Sequence, residues 1–268
     1  LEAGYVTPTT VIDTSPGLMR IGSWTVQDPR DFGRIDVTSV LTKSSNVGAA
    51  KIALALEPEQ IWDVLYRFGV GQLTDSSFPG ESAGQLNHYE HWRTIGQATL
   101  AFGYGVTVTS LQLAQAYATI ASGGLRMPVS LLALNEARAP QRVVTPETAA
   151  QLVAMLETVV TPEGTGNAAA VSGYRIAGKT GTARKAVSGG YADDRHTAVF
   201  AGLAPASRPR LVTVVVIDEP EGERYHGGDV AAPVFARVIS GALRLLGIPP
   251  DAVDEVSSTQ LVQMAVIQ

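Results

Sequence analysis

One stretch decides the fold class: Leu211-Val212-Thr213-Val214-Val215-Val216-Ile217, a largely apolar and β-branched run without polar alternation. Such a run predicts a β-strand, here Leu211–Asp218, with both of its faces covered. Two more strand candidates precede it, Tyr174–Arg184 and Thr197–Ala204, and a helix candidate, Val230–Leu246, follows. Consecutive strands joined by short turns favour an antiparallel sheet. The sequence therefore predicts an α/β protein of the α+β type, with helices flanking that sheet.

Helical patterns occupy much of the chain before this sheet. Residues 36–56 predict two helical pieces around a break at Ser44-Ser45-Asn46, and the second piece is small and apolar on most sides, as in a buried helix. Residues 5–34 predict loops with short strands, and residues 70–95 an extended surface connection. The remaining helices are predicted from Pro58 to a stop at Gly69, from Leu111 to Ser122 with Thr109 or Ser110 as N-cap, and from Thr145 onward.

Composition excludes several functions. The 268 residues are 45% hydrophobic and 17% charged, which is typical of a globular protein with a sizeable core. The net charge is −5 and the 20 basic residues form no block, so nucleic acid is not an expected partner. Without cysteine there is no thiolate nucleophile or disulfide. His88 and His91 have no third ligand in sequence, so we expect neither a metal site nor a cofactor.

The first candidate catalytic or binding motif is Lys179-Thr180-Gly181-Thr182, inside the predicted strand Tyr174–Arg184. The side-chain period of two places Thr180, Thr182 and Arg184 on one face, where two hydroxyls and a guanidinium suit a carboxylate. Gly181 removes a side chain where another backbone can approach. If this is an edge strand, it can also pair with an extended peptide. The alternative is a surface strand with an incidental glycine.

The second candidate is Ser44-Ser45-Asn46, at the break between two helices. Serine and asparagine are also ordinary N-cap residues, so the triplet alone does not distinguish a catalytic role from a helix cap. Together with Lys179-Thr180-Gly181, it matches two of the three motifs of penicillin-binding proteins and class A β-lactamases, in the expected order.

The resemblance extends beyond these motifs to essentially the whole chain up to about residue 250. The chain resembles class B penicillin-binding proteins, and among them the septal, penicillin-binding-protein-3 type. The segments that carry this resemblance are Lys43-Ser44-Ser45-Asn46-Val47-Gly48, Phe102-Gly103-Tyr104-Gly105, Leu111-Gln112-Leu113-Ala114, Gly178-Lys179-Thr180-Gly181-Thr182-Ala183 and Ala231-Ala232-Pro233-Val234-Phe235.

The resemblance implies the penicillin-binding and β-lactamase-like transpeptidase fold, an antiparallel sheet flanked by helices plus a helical subdomain. Residues 1–250 would then be the C-terminal part of a transpeptidase domain, and the tail 251–268 is left unassigned. The third family motif, Ser-x-x-Lys, is absent, because none of the four lysines has a serine three positions before it. In the family this motif lies shortly upstream of the point where the chain begins. Leu1–Gly4 resembles the end of its helix, so we expect the nucleophile outside this chain.

Family roles carry over to the matching residues. Ser44 would relay protons between the nucleophile region and Lys179, and Asn46 would hydrogen-bond the substrate amide. Lys179 would keep the site positive. Thr180 and Thr182 would bind the terminal carboxylate, with Arg184 as a further partner. The Thr182 N–H would complete an oxyanion hole.

Gly181 belongs to the same binding motif. The segment Tyr225-His226-Gly227-Gly228 matches a family segment that walls the β-lactam site, so Tyr225 and Gly227 are assigned to binding. His226 departs from the aromatic residue found there in relatives.

The implied activity is peptidoglycan D,D-transpeptidation in septal wall synthesis, with acylation by β-lactams. No Glu-x-x-Leu-Asn segment of a class A β-lactamase occurs. Two alternatives remain open: a D,D-carboxypeptidase, and a non-catalytic β-lactam sensor or division-complex component. The expected partners are D-Ala-D-Ala stem peptides, β-lactams, division-complex proteins and the missing N-terminal part. The expected location is the periplasmic face of the bacterial inner membrane.

Overall fold

The computed structural model describes residues 1–133, 139–187 and 190–252. Its strands are β1 Val11–Asp13, β2 Leu18–Ile21, β3 Trp24–Gln27, β4 Arg34–Asp36, β5 Gln85–Leu86, β6 Val106–Thr107, β7 Leu125–Arg126, β8 Gln141–Arg142, β9 Ala177–Val187, β10 Gly190–Ala204 and β11 Leu211–Asp218. Its α-helices are α1 Val37–Lys43, α2 Asn46–Leu54, α3 Pro58–Arg67, α4 Thr94–Leu100, α5 Ser110–Ala121, α6 Pro146–Thr158, α7 Gly227–Val230 and α8 Ala232–Leu245.

The largest sheet of the described residues has the antiparallel order β11-β10-β9. On one face, Phe200 of β10 packs against Phe235 and Ile239 of α8, and all three are fully buried. On the other face, Leu203 of β10 packs in a cluster with Leu156 of α6. The predicted antiparallel sheet with flanking helices is confirmed.

Strand β11 has the bounds predicted from the sequence, and helices reach both of its faces. Val215 packs with the α8 cluster, whereas Val212 packs with the cluster formed by α5 and α6. Its side chains are nevertheless mostly half-buried, and Val216 is 44% exposed. Within the described residues β11 is an edge strand, which explains the incomplete burial.

Several other helices and strands have boundaries that differ from the predicted ones. Strand β9 begins at Ala177 rather than Tyr174, because Tyr174 belongs to a turn that starts at Val171. Strand β9 ends at Val187 rather than Arg184, and β10 begins at Gly190 rather than Thr197, because the hairpin continues through polar residues that carry no apolar alternation. The predicted helix Val230–Leu246 is α8, which begins at Ala232 and ends at Leu245, and it is preceded by the short helix α7, whose last residue is Val230. The interval 70–95, predicted as extended, also contains β5, a 3₁₀ turn at Tyr89–His91 and the start of α4.

The ends of the described chain are attached by hydrogen bonds. The Asp251 carboxylate accepts from the backbone N–H groups of Arg175, at 2.7 Å, and Ser207, at 3.1 Å. At the other end, the Glu2 carboxylate accepts from the Thr145 N–H at 3.1 Å. A separate tail from residue 251 stays a prediction, since residues 253–268 lie outside the described residues. No helix of the described part is both long and apolar enough to cross a bilayer.

Candidate active site

The break between α1 and α2 turns the chain sharply at Ser44. Ser44 adopts the left-handed conformation, with φ 57° and ψ 47°, which is uncommon for a residue with a side chain. Its backbone N–H donates to the Leu41 carbonyl and closes α1. The Ser44 side chain is exposed and takes no part in capping α2, so its hydroxyl is available to another element.

The neighbouring Ser45 is the helix cap. Its hydroxyl oxygen accepts from the Gly48 N–H at 2.9 Å and donates to the buried Asp28 carboxylate at 2.6 Å. The other Asp28 oxygen accepts from the Val47 N–H at 3.1 Å. The Asn46 amide donates to the Gln27 carbonyl at 3.0 Å. The end of β3 and the residue that follows it therefore fix Ser45 and Asn46, and the capping alternative applies to Ser45, not to Ser44.

The triplet and strand β9 meet through Lys179. The Lys179 Nζ donates to Ser44 Oγ at 2.9 Å, and it also lies 3.2 Å from the Thr180 carbonyl. Burial lowers the pKa of Lys179 to about 8, because the ammonium loses part of its hydration. A lysine with this pKa exchanges its proton near neutral pH, which suits both proton relay and attraction of an anion.

The two threonines of the predicted motif are tied to neighbouring loops. Thr180 Oγ1 lies 2.8 Å from Thr165 Oγ1, and Thr182 Oγ1 accepts from the Gly227 N–H at 3.0 Å. Strand β9 is an edge strand among the described residues, as the sequence analysis supposed. Both hydroxyls therefore lie on a strand that has an open side for an extended peptide.

The close backbone approach predicted for Gly181 is present, but it depends on Gly227. A Cβ on Gly227 would lie 2.4 Å from the Gly181 carbonyl oxygen and 2.3 Å from that of Val199, which no real contact allows. A Cβ on Gly181 would meet only the Val199 Cβ, at an ordinary 3.5 Å. Gly228 is equally restricted, with the Thr165 carbonyl 2.3 Å from its Cβ position.

Aromatic rings line the next part of this surface. The Tyr225 ring stacks on His196 with centroids 4.1 Å apart, and it lies 4.4 Å from the His226 ring. His196 is opposite Arg184 in the β9–β10 register. The predicted residues Arg184 and Tyr225 thus meet at His196, which the sequence analysis did not single out.

Comparison with known proteins identifies this arrangement. The penicillin-binding protein transpeptidase domain model matches residues 1–240. The chain belongs to this family. The family's Ser-x-Asn and Lys-Thr-Gly motifs are therefore the two segments joined here by Lys179 and Ser44. The family and the fold predicted from the sequence are confirmed.

The relatives agree with the family assignment. The chain is 42% identical over 250 residues to the probable peptidoglycan D,D-transpeptidase PenA of Neisseria flavescens, covering 93% of this chain and 62% of that protein. It is 42% identical to the peptidoglycan D,D-transpeptidase FtsI of Escherichia coli K12, covering 94% of this chain and 42% of that protein. The chain thus spans less than two thirds of these relatives.

A solved relative has the same fold. The apo transpeptidase domain of Burkholderia pseudomallei penicillin-binding protein 3 superposes with a TM-score of 0.89 at 42% identity. The match covers 94% of this chain and 77% of that domain.

Three neighbours of the site were not identified from sequence: Asp28, Thr165 and His196. Asp28 contacts Ser45, Thr165 contacts Thr180 and His196 contacts Tyr225, each from a separate segment, and no local pattern marks such a contact. Asp28 lies 17 positions before Ser45, and Thr165 lies 15 before Thr180. The glycines on either side of Thr165 are a local signal for a tight turn, but they do not mark the contact with Thr180.

Proposed function

We propose that this chain forms most of the transpeptidase domain of a peptidoglycan D,D-transpeptidase that cross-links stem peptides in septal wall synthesis and is acylated by β-lactams. The observation that carries the proposal is the contact of Lys179 with Ser44 across one groove. The names of the relatives PenA and FtsI support the same activity. The groove unites an exposed hydroxyl, a desolvated lysine and an edge strand with two hydroxyls, which suits a peptide that ends in a carboxylate.

In this proposal each site residue has one task. Lys179 and Ser44 move a proton between the groove and the nucleophile. Thr180 and Thr182 bind the terminal carboxylate of the D-Ala-D-Ala peptide, with Arg184 beside them. The Thr182 N–H supplies one half of an oxyanion hole, a type of contact worth about 3–4 kcal/mol in the transition state.

The remaining predicted residues shape the groove. Asn46 orients the substrate amide from the opposite wall. Gly181 belongs to the carboxylate-binding strand. Gly227 lets the loop before α7 approach that strand, and Tyr225 forms an apolar wall for the substrate or drug.

The nucleophilic serine belongs to a Ser-x-x-Lys helix supplied by the preceding part of the domain. A helical spacing of three places the lysine next to the serine, where its amine can take the hydroxyl proton. The partners are D-Ala-D-Ala stem peptides, β-lactams and division-complex proteins, and the site faces the periplasm from the bacterial inner membrane.

A labelling experiment tests the activity and the position of the nucleophile together. This chain joined to the preceding part of the domain is incubated with a fluorescent penicillin, digested and analysed by mass spectrometry. We expect one covalent adduct, on a serine outside residues 1–268. A labelled peptide from within residues 1–268 would contradict the assignment of the nucleophile, and the absence of any adduct would contradict the proposed function.

A second assay separates transpeptidation from carboxypeptidation. The same protein is given a D-Ala-D-Ala stem peptide with and without an amine acceptor peptide. We expect cross-linked product when the acceptor is present, with little hydrolysis in its absence. Release of D-alanine at the same rate under both conditions, without cross-links, would instead identify a carboxypeptidase.

A further inference from the structure

We propose that Thr165 is a positioning residue that holds the Thr180 hydroxyl in the orientation needed to bind the substrate carboxylate. This inference rests on the proposed function, in which Thr180 contacts that carboxylate. Thr165 itself lies outside the three family motifs and is not in the predicted site.

Thr165 sits in a loop, residues 161–166, that contacts both walls of the groove. On the Ser44 side, its N–H donates to the Thr42 carbonyl at 3.4 Å, and Lys43 Nζ donates to the Glu163 carbonyl at 2.9 Å. On the β9 side, Thr165 Oγ1 lies 2.8 Å from Thr180 Oγ1. The loop therefore spans the groove and ends at the carboxylate-binding hydroxyl.

The loop is held firmly enough to position a side chain. The Gly166 N–H donates to the Val159 carbonyl at 2.8 Å. A Cβ on Gly164 would lie 2.1 Å from the same carbonyl oxygen, so the loop is packed directly on the end of α6. The Thr165 carbonyl in turn lies against Gly228, on the side of β9 that carries the Thr180 side chain. Movement of Thr165 is limited from both ends.

The direction of the hydroxyl protons gives this contact its role. Lys179 Nζ donates to Thr180 Oγ1 at 3.4 Å, and a protonated lysine can only donate. Thr180 must then send its single proton to Thr165 or to a bound carboxylate. When a carboxylate binds and accepts the hydrogen bond from Thr180, the Thr165 hydroxyl can reverse and donate to the remaining lone pair of Thr180. Thr165 thereby holds the Thr180 hydroxyl in the same orientation with and without a bound carboxylate.

The test compares two ligands that differ only at the carboxylate. Second-order acylation rates are measured with a penicillin and with its methyl ester, in this chain joined to the preceding part of the domain. Thr165→Val removes the hydroxyl and retains the shape of the side chain. We expect the rate with the free acid to fall about tenfold, as for one lost hydrogen bond to a charged ligand, and the ester rate to change less than about twofold. Thr165→Ser should retain both rates.

Thr165→Ala, which lacks the hydroxyl but is smaller, gives the same test if the valine variant does not fold. Equal losses with acid and ester would identify a purely structural role and overturn the inference, as would unchanged rates or a serine variant as slow as the valine variant. Failure of the unsubstituted protein to react with either ligand would instead contradict the proposed function, so the two failures are distinguishable.

Discussion

Residues 44–46 and strand β9, the two walls of the proposed groove, hold their functional residues in different ways. On the wall formed by residues 44–46, side chains do the positioning: Ser45 caps α2 and donates to Asp28, and Asn46 donates to the end of β3. On the wall formed by β9, backbone contacts position the site residues, because Gly227 lies directly on Gly181 and the Gly227 N–H donates to Thr182. Lys179 and Ser44 join the two walls.

This difference separates residues that take part in the reaction from residues that stabilise the fold. Ser44 is exposed and does not cap α2, so a change there should affect reaction more than stability. Ser45 and Gly227 are buried and packed, so changes there should affect stability first. Substitutions in each wall test that separation. Those on reaction use this chain joined to the preceding part of the domain.

The largest effect is expected at the residue that joins the walls. Lys179→Ala removes the cation and its hydrogen bond to Ser44, and we expect labelling by a fluorescent penicillin to slow by about a hundredfold or more. Lys185→Ala is the matched control on the same strand, because Lys185 pairs with Asp218 and Glu219 instead. Equal slowing in both variants would show that general positive charge, rather than the Lys179 contact, matters.

On the β9 wall, Gly227→Ala should destabilise the fold. The added Cβ meets two backbone oxygens and cannot be accommodated without moving the chain, so we expect a loss of about 2–3 kcal/mol in the free energy of unfolding. Gly241→Ala, in α8 with open space around its Cβ position, should instead stabilise by about 0.5–1 kcal/mol. Denaturant unfolding of both variants measures the difference, and a neutral Gly227→Ala would refute the close packing.

On the other wall, two adjacent serines should respond oppositely. Ser45→Ala removes the cap of α2 and leaves Asp28 without its hydroxyl donor, so we expect a loss of about 1–2 kcal/mol in stability. Ser44→Ala should leave stability within about 0.5 kcal/mol and slow penicillin labelling by about tenfold. Unfolding curves and labelling rates are measured for both variants. Equal losses of stability, or equal losses of labelling rate, in the two variants would contradict the separate roles of Ser44 and Ser45.

The smallest effect concerns pH. Lys179 is mostly charged below its pKa of about 8 and loses its charge as pH rises through that value. Binding of the ligand carboxylate should weaken accordingly, so we expect labelling to slow by at most about tenfold between pH 7 and pH 9, which is the ratio of the charged fractions of Lys179 at the two pH values. In Lys179→Arg the guanidinium stays charged across this range, and that component of the decline should vanish. If the labelling rate fell equally with pH in the unsubstituted protein and in Lys179→Arg, the pH dependence would come from a group other than Lys179.

Local patterns predicted much of this architecture. The apolar run of β11 and the spacing of its neighbours predicted the sheet, and the Thr109 and Thr145 caps predicted the starts of α5 and α6. The hairpin extension of β9 and β10 was missed, because its polar residues carry no apolar alternation.

The candidate site was predicted only as far as its motifs. Ser44 and Lys179 are 135 positions apart. The resemblance of their motifs to those of the family predicted that they lie together, whereas local helix and strand patterns do not predict a contact over this separation. Asp28 and Thr165 contact those motifs from loops whose sequences show only turn chemistry. Their placement depends on how the loops fold over the sheet, and this is a property of the tertiary structure.

A double-mutant cycle tests the central claim most directly. Penicillin acylation rates are measured for the unsubstituted protein, Ser44→Ala, Lys179→Ala and the double variant. If Ser44 and Lys179 act through their mutual contact, the double variant should react about as fast as Lys179→Ala alone, because the second change removes an interaction already lost. Losses that multiply, to about a thousandfold overall, would show that the two residues act independently and that the groove does not join them in function.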